Sequence, residues 1–453
     1  MINVIGLDIG TSSVKGVAVG PKGERLSAAK RDFTYQSPRE GWKELAAEDY
    51  LETCGSLLRQ LASAESGEIG AVCAASASGN LLVLDSDGTP LTKIINWQDR
   101  RVKEEARELL KDICAEEIYK ASGWSFDCQT FPLAQLCYLR CHQPELLDRG
   151  GMICMSTEYL YWRLTGVWGV SGSAGTPSFL LEQRTGVYNR RLLDILGIRE
   201  DRLPPVGETG RILGRVTREG AAWSGLPEGM PLVLGSFDHP AAAKGAGVLQ
   251  EGQMLLSCGT SWVGFYPVKD RDRILRCGAL ADPFYAPEGC WGAMVSVPSV
   301  GERIRNLVAR YLGDGEDMFE RFISLAGESG PGAGGLVLDL EAEPRDKLSE
   351  DRGQGKSRQP QPDSGVDDRI RSSPSKHIAR AIMEGTVRLL QAQIERLAGE
   401  GICAREAVMV GQPSESTLWL EVISQMTGLR VRPGKGGYTG AEGAALTAAE
   451  AVG

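Results

Sequence analysis

Histidine is nearly missing: three occur in 453 residues. The grouping Cys137, Cys141 and His142 therefore reads as a helix face carrying two small thiols rather than as a metal centre. Eleven cysteines are scattered without any Cys-x-x-Cys pair. Cys73, Cys154 and Cys258 fall in apolar runs and read as reduced core residues. No apolar stretch reaches the ~18 residues of a spanning helix, and no basic segment precedes the first apolar strand. Neither a membrane span nor a secretory leader is expected, and the cytoplasm is the expected compartment. Basic residues are in deficit, 50 against 59 acidic for a net charge of -9, which argues against a nucleic-acid or anionic-membrane partner. No Gly-x-Gly-x-x-Gly lies between an opening strand and a helix, so a dinucleotide dehydrogenase is set aside. Gly355-Lys356-Ser357 imitates the tail of a P-loop, but Glu350 stands where its first glycine belongs and no strand precedes it.

Glycine, by contrast, is abundant: 57 residues, nearly twice the usual ~7% share. Close backbone approaches follow from that number. A chain of 453 residues with 42% hydrophobic and 24% charged residues is a soluble globular type, long enough for two cores. The division is expected near residue 225, inside the polar stretch Arg215 to Glu228, giving domains 1–225 and 226–453.

Gly6-Leu7-Asp8-Ile9-Gly10-Thr11-Ser12-Ser13-Val14-Lys15 has the form of a phosphate clamp. A buried strand delivers Asp8 to a turn whose small residues let backbone N–H groups approach an anion. The device recurs as Ser257-Cys258-Gly259-Thr260-Ser261-Trp262. Two clamps fit a metal-bridged polyphosphate held by two halves of the chain.

The pattern predicts a three-strand meander over residues 3 to 33, a helix marked by Leu51, Leu57, Leu58 and Leu61, a buried strand at Ile69 to Ser76, and a hairpin turning at Asp85 to Gly88. A strand from Met230 ends at Asp238 and hands over to a small-residue helix at His239 to Gly247. Residues 341–376 carry charges of both signs and scarcely an apolar side chain, which predicts a long mobile loop. A long amphipathic helix follows through Ile378, Ile382, Leu389, Leu390, Ile394 and Leu397. A strand at Ala407 to Val410 and a helix at Glu415 to Thr427 complete the reading.

Taken together, these segments resemble the FGGY carbohydrate kinases, the family of glycerol kinase, xylulokinase and gluconokinase. The resemblance runs through Gly6-Leu7-Asp8-Ile9-Gly10-Thr11, Gly41-Trp42, Trp97-Gln98-Asp99-Arg100-Arg101 and Tyr159-Leu160-Tyr161-Trp162-Arg163-Leu164-Thr165-Gly166. It continues through Asp238, Gly245-Ala246-Gly247, Gly259-Thr260-Ser261 and Gly443-Ala444-Ala445. It implies an α/β fold of two actin-like (ribonuclease H-like) domains of the actin/Hsp70/hexokinase superfamily, with a cleft between them. It also implies phosphorylation of a sugar, polyol or sugar acid by Mg-ATP, and a small carbohydrate as partner, with a homodimer as the candidate assembly. The competing reading is a nucleotide-binding switch or ATPase of the same superfamily.

Asp238 is the candidate base, since phosphoryl transfer to an alcohol needs the hydroxyl aligned and its proton accepted; the plain alternative is a helix N-cap. Asp8, with Asp238, is the candidate Mg²⁺ shell, because that ion takes one or two carboxylates plus phosphate oxygens and waters. Gly10, Thr11, Ser12 and Lys15 are candidate phosphate contacts, as are Gly259 and Thr260 in the second clamp. The resemblance assigns the base of the nucleotide to Gly411, Gln412 and Ser416, with Gly334 on an opposing wall. Gln412 and Pro413 replace glycines of the family's turn. For the acceptor, Ser78 and Asn80 are candidate hydrogen-bonding groups and Trp97 a candidate stacking surface. Ala77-Ser78-Gly79-Asn80 stands where xylulokinases carry Gln-Met-His-Gly, so the acceptor's identity stays open.

Overall fold

The first strand, Asn3–Ile9, shows how the first half is built in the computed structural model, which describes residues 2–64, 67–284, 289–340 and 364–453. Side chains alternate across a strand. Ile5, Leu7 and Ile9 therefore join one core cluster with Leu57 and Leu58 of the helix Ala47–Ser63. Val4 enters a second cluster on the opposite face, with Val17, Ala71, Cys73, Ala441 and Ala445. Gly6 and Asp8 share Val4's face by the same alternation.

Six strands make this sheet, in the order Ile212–Arg215, Pro231–Val233, Ile69–Ser76, Asn3–Ile9, Ser13–Val19, Arg25–Asp32. The meander is antiparallel, while Asn3–Ile9 and Pro231–Val233 both run parallel to the central Ile69–Ser76. Two helices, Asp238–Gly245 and Thr439–Val452, pack on each other and on the sheet through glycine. A methyl group on Gly6 would strike the Ala441 carbonyl and the Ala445 backbone. One on Gly245 would strike the Thr439 carbonyl, and one on Gly443 the Ala241 carbonyl. Backbone cannot step aside as a flexible side chain can. Gly443→Val is accordingly expected to destabilise by about 3 kcal/mol, the upper range for overpacking. A urea midpoint equal to that of the wild type would show that the two helices have room to part.

Contacts divide the chain into two units, one of Met1–Glu251, Phe265–Met294 and Lys435–Gly453, the other of Gly252–Gly264 and Val295–Gly434. The chain passes between them within the strands Trp262–Val268 and Trp291–Val297. This division differs from a single cut near residue 225, because Lys435–Gly453 returns to the first sheet and the stretch after Arg215 holds the short helix Arg218–Ser224.

In the second unit, Gly252–Cys258, Ala404–Val410 and Arg430–Pro433 run parallel. The helices Val300–Leu312, Met318–Gly327 and Thr417–Thr427 each pack against the long helix Ser375–Gly399. Trp419 meets Trp262 edge-on at 5.2 Å between ring centres, and Phe322 at 6.3 Å. Of the charged stretch at 341–376, residues 341–363 and their P-loop imitation lie outside the described residues. Ser364–Arg371 is helical rather than loop, and its Ile370 is buried. Among the described residues no helix is long and apolar enough to cross a membrane.

Candidate active site

Asp8 sits near the carboxyl end of Asn3–Ile9, and Asp238 opens the helix that follows the carboxyl end of Pro231–Val233; both strands flank Ile69–Ser76 in the same parallel direction. In open α/β sheets that edge is where ligands bind. Helix packing makes the space for Asp8. A Cβ on Gly440 would lie 2.7 Å from Asp8 Oδ2, so the glycine at the start of the helix Thr439–Val452 is what admits the carboxylate. Lys15 is paired with Asp8 in the strand register, on the same face, and its Nζ donates to the Gly437 carbonyl at 2.9 Å.

Asp238 is the first residue of its helix rather than the end of a strand. Its Oδ1 accepts the backbone N–H of His239 at 2.7 Å, so the side chain is steered by the helix start. Burial raises the Asp238 carboxyl above the ordinary range, with His239 pulling the other way. Burial, then the charge of Asp238, pushes Asp8 up to about 7 against the pull of Lys15. Two carboxylates in one another's field, with a lysine as counter-charge, are a donor set short of positive charge. That fits Mg²⁺, which uses one or two carboxylates and completes its shell with phosphate and water. No group of three His, Cys, Asp or Glu side chains gathers as a metal cluster among the described residues, and this ion does not require one.

The first turn is tight: the Gly10 N–H donates to the Ser13 carbonyl at 2.9 Å, leaving Thr11 half-buried and Ser12 exposed. Trp97 Nε1 donates to Thr11 Oγ1 at 2.9 Å, which ties a candidate acceptor residue to a candidate phosphate residue. Ser78 is buried and its hydroxyl pairs with that of Ser76 at 2.9 Å. Asn80 uses both ends of its amide on Ser156, donating to Oγ at 3.1 Å and accepting from the backbone N–H at 2.7 Å. It braces the helix Ser156–Thr165.

An aromatic wall absent from the sequence reading leads from Trp97 to Asp238. Trp97 stacks on Phe131 at 5.9 Å; Trp124 meets Phe131 at 6.1 Å, Phe179 at 6.3 Å and Phe237 at 5.2 Å. Cys128, Phe131 and Phe179 hold positive φ of 61°, 70° and 60°. Such conformations are costly for side-chain-bearing residues and gather at functional sites. A second feature missed was Asp282, fully buried on the strand Leu280–Pro283. Burial and the charge of Asp238 push its carboxyl up to about 7, against a hydrogen bond from the Ser173 hydroxyl. No local motif announces that pairing.

The remaining candidates belong to the second unit. Gly259–Ser261 forms the turn after Gly252–Cys258, closed by Gly259 N–H to the Ser261 carbonyl at 3.1 Å, with Thr260 exposed. Gly411 follows the neighbouring parallel strand at φ 97°, where a methyl would strike the Cys258 carbonyl. Those two turns are thus adjacent. Gln412 opens a short 3-10 turn, and Ser416 caps the next helix by accepting from the Trp419 N–H at 3.4 Å. Gly334, at φ 61°, rests on a different support: a Cβ there would lie 2.9 Å from His377 Nε2. The Gly332 N–H beside it donates to Glu384 at 2.9 Å.

Comparison with known proteins matches residues 3–245 to the family model described as the FGGY family of carbohydrate kinases, N-terminal domain. The chain is 29% identical over 457 residues to the L-xylulose/3-keto-L-gulonate kinase of Escherichia coli (strain K12), spanning 98% of this chain and 87% of that protein. Among solved structures, the xylulose kinase of Rhodospirillum rubrum superposes with a TM-score of 0.85 at 24% identity, over 100% of this chain and 90% of that one. The glycerol kinase of Plasmodium falciparum, solved with ADP, superposes at 0.84 with 17% identity, over 100% and 90% of the two chains. Those likenesses establish the two-domain actin-like ATPase fold.

Proposed function

The chain belongs to the FGGY family of carbohydrate kinases, and from that premise we propose that it uses Asp238 to accept the proton of a carbohydrate hydroxyl as that oxygen takes the γ-phosphoryl group of Mg-ATP. The observation that carries the reading is the pair of buried, mutually coupled carboxylates, Asp8 near the carboxyl end of Asn3–Ile9 and Asp238 at the start of the helix that follows Pro231–Val233, both strands flanking Ile69–Ser76. A carboxyl raised by burial is a stronger proton acceptor than an ordinary one, and the His239 N–H keeps it aimed. Asp8 and Asp238 would hold Mg²⁺, which when bound neutralises charge on the transferring group. The turn residues Gly10, Thr11 and Ser12, with Lys15, receive phosphate oxygens, as do Gly259 and Thr260. Gly411, Gln412, Ser416 and Gly334 line the place of the nucleoside. On the acceptor side, Trp97 and Phe131 offer an apolar face to the carbons of the sugar, beside Ser78 and Asn80.

A ketose or a keto sugar acid is the acceptor class we favour, by likeness to the E. coli relative named above. The test is ADP release across L-xylulose, D-xylulose, 3-keto-L-gulonate, polyols and aldonic acids. One class should raise ATP consumption by about 10²-fold or more over the sugar-free rate, as positioning of the acceptor demands. Consumption indifferent to every member of the panel would overturn the assignment of an acceptor.

A further inference from the structure

We infer that the buried pair Ser173 and Asp282 is a positioning device for Asp238, fixing the backbone at Phe237 through a single oriented hydroxyl. The inference rests on the assignment of Asp238 as the base.

A serine hydroxyl has one hydrogen to give and lone pairs to receive. At Ser173 the hydrogen goes to Asp282, at 2.8 Å from Oδ1 and 3.1 Å from Oδ2. The lone pair then receives the backbone N–H of Phe237 at 3.0 Å. Both side chains are wholly buried, so no water competes for these bonds. Among the described residues Ser173 is the group that hydrogen-bonds the Asp282 carboxyl. A buried carboxylate supported by one hydroxyl costs stability, and retaining it makes sense where it does work that an apolar side chain could not.

The bonds fall where they matter. The segment before Asp238 is held residue by residue: Gly235 N–H to the Tyr161 hydroxyl at 3.4 Å, Ser236 carbonyl from the Ser76 N–H at 3.2 Å, then Phe237 N–H to Ser173. Tyr161 and Ser76 are fixed by the core and the sheet. Ser173, in the short helix Gly172–Gly175, depends on Asp282 to settle which way its hydroxyl points. Without that acceptor the hydroxyl can turn its hydrogen toward Phe237, whose N–H then loses its partner and leaves that peptide held through its carbonyl alone, which accepts from the Ala241 N–H at 3.2 Å and the Ser236 hydroxyl at 3.0 Å.

Three variants decide the matter, assayed with the acceptor of highest turnover in the panel above and by hydrogen exchange of the peptide spanning residues 235–240. Ser173→Ala and Asp282→Leu should each lower kcat about tenfold, within the ~10² that an ångström of misplacement can cost, with KM for sugar and ATP within twofold. Exchange at Phe237 should quicken in both, and the double variant should be no slower than either single one. Asp282→Asn keeps an acceptor for the Ser173 hydrogen and should recover most of the kcat and the protection lost in Asp282→Leu. Wild-type exchange and kcat in Ser173→Ala, or an Asp282→Asn no better than Asp282→Leu, would overturn the positioning role. Ser173→Ala deletes one oxygen and keeps the question answerable if Asp282→Leu does not fold. Asp238→Asn separates the two claims: if it is active the base lies elsewhere, and if it is inactive while Ser173→Ala is normal, only the positioning role falls.

Discussion

Asp238→Asn is expected to lower kcat by about 10² to 10⁴ and to weaken Mg-ATP binding far less, because the amide oxygen can still face the ion although the charge is lost. The amide has the shape of the carboxylate, and its Oδ1 can still accept the His239 N–H that holds the side chain at 2.7 Å in the wild type. It cannot take a proton. The loss should appear in kcat more than in KM, because the missing interaction matures only as the acceptor oxygen attacks. Titration calorimetry with a non-hydrolysable ATP analogue, beside steady-state rates, separates the two quantities. Turnover within a few-fold of wild type would place the base at another residue.

Asp8→Ala should cost more than about 10²-fold in rate at ordinary Mg²⁺ and shift the Mg²⁺ requirement upward, since losing even an outer-shell partner of a metal costs ~10 to 100-fold. Two effects combine. The variant removes one of the two carboxylates proposed for the ion, and it leaves Lys15 without the carboxylate it faces in the strand register. Binding of free sugar should survive, because the proposed sugar face is set by Trp97 stacked on Phe131 and hydrogen-bonded to Thr11, not by the carboxylate of Asp8. A Mg²⁺ titration curve that overlays the wild type would return Asp8 to a purely structural part.

How much of this was readable beforehand depends on how local each signal is. The first strand declares itself: the alternation Val4-Ile5-Gly6-Leu7-Asp8-Ile9 sets both faces and leaves Asp8 beside the next turn. The turn at Gly259 to Ser261 and the strand ending at Val410 are legible for the same reason. Asp238 was visible as a carboxylate at a strand-to-helix junction, although the strand stops at Val233 and the helix takes the aspartate itself. Other features depend on partners far away in the chain. Ser173 and Asp282 are 109 residues apart and belong to no motif. Left-handed backbone at Phe131 and Phe179 contradicts what those residues prefer alone, so only the surrounding packing reveals it. That Asn80 braces Ser156 through both ends of its amide could not be read from its neighbours, because Ser156 lies 76 residues away in the chain.

The glycine-mediated seat of Thr439–Val452 on the first strand has a consequence for biogenesis. Gly6 and Ala441 touch, yet they are made roughly 430 residues apart. At ~5 to 20 residues per second, a ribosome needs about 20 to 90 s to travel that distance. For that interval the sheet face built from Val4, Val17, Ala71 and Cys73 has no cover from its helix. A newly made first half thus presents an apolar sheet face that lacks the helix covering it in the finished chain. Chaperone dependence, and yield that falls as expression rate rises, are the expected results of wiring the first strand to the last helix.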